Sequence, residues 1–234
     1  MISLAEVPLH PVDLLARADS SRRPAQPLLL VVHGRSGGVL PPELLSLAAE
    51  LERRRRAPVV LQALTAPSPP PPGRLLRAGG GLTLVPLLLL PGGHVRHDLP
   101  AIARHWAAFA PVQRIPFLGA WPSWQQALRG ELQALRGSSG AGQGRPLLLH
   151  HPLTHPLAQR YLVWLEQVTG GRTVATAYSD AGPEEPPLSF AAPALPLVLA
   201  ANRLTDRLGG STAVPLLQRP ALRAALLAAL EALP

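Results

Sequence analysis

Five consecutive residues, Leu28 to Val32 (LLLVV), are apolar with no polar residue between them. A strand with one face in water alternates apolar and polar positions. A run apolar at every position reads instead as a strand covered on both faces, the habit of parallel sheets flanked by helices. Similar runs recur at Pro58–Leu64 (PVVLQAL), Leu82–Leu90 and Arg114–Leu118, with helical patterns between them. Pro41 and Pro42 open a helix with Leu44, Leu47, Ala48 and Leu51 on one face. Arg53 to Arg56 suit the negative end of that helix and read as a solvated terminus. Asp98 reads as the cap of a helix carrying Leu99, Ile102, Ala103, Trp106 and Ala110. A further helix, starting near Ser123, carries Trp124, Leu128, Leu132 and Leu135.

The same order then returns. Gly137 to Gly144 (GSSGAGQG) reads as a flexible linker near the middle of the chain. Pro27-Leu28-Leu29-Leu30 comes back 119 residues later as Pro146-Leu147-Leu148-Leu149, and Ile115-Pro116-Phe117-Leu118 comes back 99 later as Val214-Pro215-Leu216-Leu217. Between these lie a helix from Pro156 carrying Leu157, Tyr161, Trp164, Leu165 and Val168, stopped by Gly170-Gly171, and strands at Arg172–Tyr178 and Leu195–Leu199. A last helix starts at Pro220. The expected fold is α/β: two tandem Rossmann-like halves, each a parallel sheet of about four strands flanked by helices. The expected boundaries are an N-terminal segment 1–26, a first half 27–136, a linker 137–145 and a degenerate second half 146–234.

Composition removes several chemistries. With no cysteine, disulfides, thiolate metal sites, Fe–S clusters and Cys nucleophiles are excluded. The longest apolar run falls far short of the roughly 20 residues a spanning helix needs, and the N-terminus shows no basic, then apolar, leader pattern. A soluble, cytoplasmic protein is expected, without a membrane partner. All 22 basic residues are Arg, and the net charge of +8 favours an anionic partner. No nucleic-acid motif is present, and four Trp, two Tyr and three Phe are few for base stacking. A small polyanionic ligand is equally allowed as the anionic partner. The stretch LLLVVHGRSGG suggests the oxyanion loop of an α/β-hydrolase, but that fold needs a separate downstream G-x-S-x-G, and none follows Gly34–Gly38, where the spacing falls inside the loop itself. Neither dinucleotide nor P-loop glycine spacing occurs at Gly34–Gly38.

Two histidines stand where α/β sheets bind ligands, at the carboxyl ends of parallel strands. His33 follows the first strand and precedes Gly34-Arg35-Ser36-Gly37-Gly38; His94 follows Pro91-Gly92-Gly93 after the third. Two neutral imidazoles can hold Zn2+, Co2+, Ni2+ or Fe2+, or accept a proton near pH 7. Without thiolates or clustered carboxylates they hold a metal weakly, which suits transfer better than storage.

LLLVVHGR together with VPLLLLPGGHVRHDLP resembles the sirohydrochlorin cobalto- and ferrochelatases of the CbiX type, the class II chelatases, over roughly Leu28 to Leu118. In the second half the resemblance rests on the repeat and on Asn202 to Leu208 (NRLTDRL). It implies two β/α domains with a tetrapyrrole between them, and a divalent metal, Co2+ or Fe2+ or also Ni2+, as substrate with no organic cofactor. It implies that His33 and His94 are the catalytic, metal-binding residues. Arg35 and Arg96 would pair with the substrate's carboxylates, and Asn202 would hydrogen-bond one of them. The family's glutamate after the second strand has no counterpart in Leu61–Ser68 (LQALTAPS). A metal or tetrapyrrole carrier that keeps the fold without turnover is the alternative. By the repeat, Gly92-Gly93-His94 corresponds to Ala200-Ala201-Asn202 and His33 to Pro152, so the second half is expected to lack a metal site. His97 reads as solvating the helix start, with the cleft beside His94 as the alternative, and His105 as a surface residue; His150, His151 and His155 could add cleft ligands or serve locally; His10 is given no role.

Overall fold

The computed structural model describes residues 25–76, 80–138, 144–176, 188 and 190–234. The N-terminal segment with His10, the centre of the glycine linker and Tyr178 lie outside the described residues.

The first half builds a four-stranded parallel sheet in the order β2-β1-β3-β4, from β1 (Leu28–Val32), β2 (Val59–Ala63), β3 (Leu82–Pro86) and β4 (Val112–Arg114). Helix α1 (Pro42–Arg55) connects β1 to β2, and α2 (Leu99–Ala107) connects β3 to β4. Helix α3 (Pro122–Ser138) closes the half. All five residues of β1 are buried, as an unalternating apolar run demands. The faces of α1 and α3 are those the spacing gives: Leu44, Leu47, Ala48 and Leu51 on one, Trp124, Leu128 and Leu132 on the other.

The second half holds a parallel sheet in the order β6-β5-β7, from β5 (Leu147–His150), β6 (Arg172–Ala175) and β7 (Ala194–Pro196). Helix α4 (Pro156–Thr169) links β5 to β6 and ends on Gly170 at φ 77°. A short helix α5 (Arg203–Asp206) and a final helix α6 (Pro220–Glu231) follow.

Several expectations are corrected. The second sheet has three strands among the described residues, not about four. Residues Leu216–Gln218 form a 3-10 turn after Pro215, which lacks the N–H a ladder requires. The fourth strand of the first half ends at Arg114, and the buried Ile115 and Leu118 lie beyond it. β3 stops at Pro86 rather than Leu90. Gly137 and Ser138 belong to α3, not to a linker.

The arginines at the end of α1 are not all solvated. Arg55 is buried and donates to the carbonyls of Leu230, Glu231, Leu233, Pro234 and Gln26. It thereby satisfies the orphan carbonyls at the end of α6 and ties the second half to the first. One apolar core continues across both halves, from Leu28, Leu47 and Trp124 to Leu148, Leu195 and Leu226. No helix among the described residues is long and apolar enough to cross a membrane.

Candidate metal centre

Because β1 and β3 are adjacent and parallel, their carboxyl ends open on the same edge of the sheet. His33 follows β1 directly. Its loop turns on Gly34 at φ 76°, where a Cβ would come within 2.7 Å of both the Ala63 Cβ and the Thr65 Oγ1. Only glycine fits that conformation and that space. Thr65 donates from Oγ1 to the Arg35 carbonyl at 2.6 Å, pinning the loop against the end of β2.

His94 starts a π-helical turn, His94–Asp98, in which the Leu99 N–H reaches the His94 carbonyl. Such wide turns gather at functional sites, and this one puts residues i and i+4 on one side. Asp98 is therefore not the helix cap its position suggests. It makes no side-chain cap bond, and its Oδ2 lies 2.5 Å from the His94 Nδ1.

The rings of His33 and His94 meet edge to face, with centroids 5.0 Å apart and planes at 77°. The hydrogen bonds around them decide which nitrogens are available. The Gly34 carbonyl can only accept, so at 2.8 Å the His33 Nδ1 carries the proton. The Asp98 carboxylate likewise accepts from the His94 Nδ1. Both Nε2 atoms are left with a lone pair. A carboxylate or carbonyl behind one ring nitrogen, fixing the tautomer and raising the basicity of the other, is the arrangement found behind metal-ligating histidines. Among the described residues no three His, Asp or Glu side chains already form a ligand cluster.

The two arginines expected at the rim differ. Arg35 reaches into the second half, where its Nε donates to the Ala201 carbonyl at 3.1 Å and its terminal nitrogen lies 3.6 Å from Asp206. Arg96 sits on the π-helical turn, half-buried, its Nε without a partner. Asn202 is the N-cap of α5. Its Oδ1 accepts from the N–H groups of Leu204 and Thr205, and the Thr205 hydroxyl completes a capping box.

His105 lies at the surface against Trp106 and Phe109, as read from the sequence. His97 is exposed on the π-helical turn. His155 caps α4 through its Nδ1. His150 is buried and donates from Nδ1 to the His151 carbonyl at 2.7 Å; burial holds it below the usual histidine range. His151 is also held low, by desolvation and then by His150, His33 and His94.

The correspondence of His33 with Pro152 is corrected by the register. The Leu64 N–H donates to the carbonyl of Val32, and the Thr176 N–H donates to that of His150. On the other side of each central strand, Leu87 donates to Val31 and Leu197 to Leu149. Both ladders equate Val32 with His150, and hence His33 with His151. A one-residue slip would put the side chain on the opposite face of the sheet.

Residues 27–135 match the model of the CbiX family. That stretch holds both His33 and His94, the pair that meets at the sheet edge. Solved structures share the fold across both halves. SirB from Bacillus subtilis with Fe3+ aligns with a TM-score of 0.60 at 15% identity, over 87% of this chain and 93% of that one. The sirohydrochlorin chelatase SirB from Bacillus subtilis subspecies spizizenii in complex with cobalt aligns at 0.52 and 17%, with the same coverage. DR2241 from Deinococcus radiodurans, a multi-domain protein with structural similarity to chelatases, aligns at 0.51 and 16%, over 88% of this chain and 54% of its own length. No curated protein matches the chain.

Proposed function

We propose that the protein is a chelatase, inserting a divalent metal ion, Co2+ or Fe2+, into sirohydrochlorin or a similar tetrapyrrole on the way to siroheme or cobalamin, with the cytoplasm as its setting. The observation that carries this reading is the facing pair His33 and His94, each with its Nδ1 committed to an acceptor and its Nε2 open. The CbiX family of residues 27–135 and the fold shared with SirB support it.

In this reading the metal is a substrate, held by the two Nε2 atoms and passed on. Replacing two pyrrole N–H protons by a dication keeps the charge balanced, and each proton needs an acceptor. An imidazole not holding the ion, or water beside it, takes that part. Arg96 is the first partner for a substrate carboxylate. Arg35 joins it when Asp206 gives way, and Asn202 can offer only its amide N–H2, since its oxygen caps α5.

Thr65 favours the carrier as second reading. At the end of β2 it presents a hydroxyl engaged with the backbone, with no carboxylate there to take a pyrrole proton. Purified protein mixed with sirohydrochlorin and Co2+ or Fe2+ separates the two. The chelatase reading expects metallation faster than the uncatalysed control, lost in His33→Ala and His94→Ala. Tight tetrapyrrole binding with no rate above the control would leave only the carrier.

A further inference from the structure

We infer that the second half supplies a third imidazole, His151, to the metal ion, so that the ion is held by His33, His94 and His151 across the two halves. The inference deepens the functional reading above and rests on it for the His33–His94 pair.

Two observations place His151 there. The first is register. Two independent ladders make His151 the counterpart of His33, each being the first residue beyond the last paired position of a central strand. In both halves the preceding residue, Val32 or His150, is buried and the histidine itself is exposed. The alternation of a strand turns these two side chains to equivalent sides.

The second is contact between the loops. A Cβ built on Gly92 would lie 3.6 Å from the Leu153 Cδ2. The loop that follows β5 therefore rests against the Pro91-Gly92-Gly93 turn that leads into His94.

The chemistry gives the third ring a purpose. Two neutral imidazoles are an incomplete set for a borderline ion, whereas three imidazoles with one open position form a common catalytic donor set. Among the described residues the three rings do not form a ready cluster, so binding by all three requires a shift of the His151 side chain. Because it comes from the other half, the hold on the ion depends on the two halves staying apposed.

The test uses the full chain and metal alone. Co2+ affinity is measured for the parent, His33→Ala, His151→Ala and His105→Ala. In parallel, the imidazole 15N resonances are followed during a Zn2+ titration. Removing even a supporting partner of a ligand costs about 10–100-fold in metal affinity, and His151→Ala should lose at least the lower of these, while His105→Ala binds as the parent does. Zn2+ should move the resonances of His33, His94 and His151 together. Parental Co2+ affinity in His151→Ala, or a His151 resonance that stays still while the other two move, overturns the inference and leaves the functional reading standing. If His33→Ala also binds like the parent and none of the three resonances moves, the functional reading fails with it.

Discussion

Replacing Asp98 by Ala should weaken the metal site without disturbing the fold. Asp98 sits mid-turn, makes no cap bond, and is about half exposed. Its carboxylate holds the Nδ1 proton of His94 at 2.5 Å. Without it, His94 is free to take the other tautomer, with the proton on the nitrogen that should meet the metal. Loss of such a partner costs about 10–100-fold in metal affinity, or about 1.4–2.8 kcal/mol at ~1.4 kcal/mol per decade. Both groups are exposed by about half (side-chain exposure 45% and 49%), so water screens the bond and the lower end applies. The expected loss for Asp98→Ala is therefore about tenfold. Asp98→Asn should lose less, because an amide oxygen still accepts from Nδ1. Isothermal titration with Co2+ at pH 7 gives the affinity, and imidazole 15N shifts give the tautomer of His94. An Asp98→Ala protein that binds Co2+ as the parent does, with His94 in the same tautomer, would refute the orienting role.

Gly34→Ala should cost about 1–2 kcal/mol for the left-handed backbone alone, and more for the clash with Ala63 and Thr65; urea unfolding reads the cost, and Co2+ affinity should fall because His33 is the preceding residue. Arg35 and Asp206 compete with a substrate carboxylate, so Asp206→Asn should lower KM for a carboxylated tetrapyrrole and Arg35→Ala should raise it, with little change in the thermal midpoint because an exposed pair contributes at most about 1 kcal/mol. Tyr161 donates to the Gly119 carbonyl at 2.7 Å across the two halves, and burial pushes its phenol above the usual range. The folded state then keeps a proton that the unfolded chain releases above about pH 10, so stability is full below that pH and falls as pH rises. Tyr161→Phe should lose this alkaline limb in unfolding curves taken from pH 9 to 11, and equal slopes in the two proteins would count against it.

Much of the framework was legible because burial on both faces leaves a plain mark. β1 and β2 follow from LLLVV and PVVLQAL, and the faces of α1 and α3 from their spacing. Apolarity does not say which backbone shape buries a residue, however. Ile115 and Leu118 are as buried as strand residues, but Ile115 lies just beyond β4 and Leu118 begins a 3-10 turn, while the true β4 is half-buried and partly polar. The meeting of His33 and His94 was legible from glycines and strand ends. The role of Asp98 was not, because an Asp before Leu-Pro in a helix reads as a cap, and only the π-helical turn brings it round to His94. Arg35 carried a charge signal that fits a substrate as well as it fits Asp206. His151 was among the possible cleft ligands, but its correspondence with His33 was off by one residue. Matching Pro27 to Pro146 gives an offset of 119, while the hydrogen-bond ladders require 118, and that single step exchanges a proline for a histidine. Prolines mark where strands begin but do not fix register; N–H to carbonyl pairing does.

The central claim is that one divalent ion is held between His33 and His94. A crystal structure of the full chain grown with Co2+, with data collected on both sides of the cobalt absorption edge, tests it most directly. The account predicts an anomalous peak within about 2.0–2.2 Å of the Nε2 atoms of both His33 and His94, at the carboxyl ends of β1 and β3. A cobalt ion bound elsewhere, with the two imidazoles still in contact and no peak between them, would contradict it.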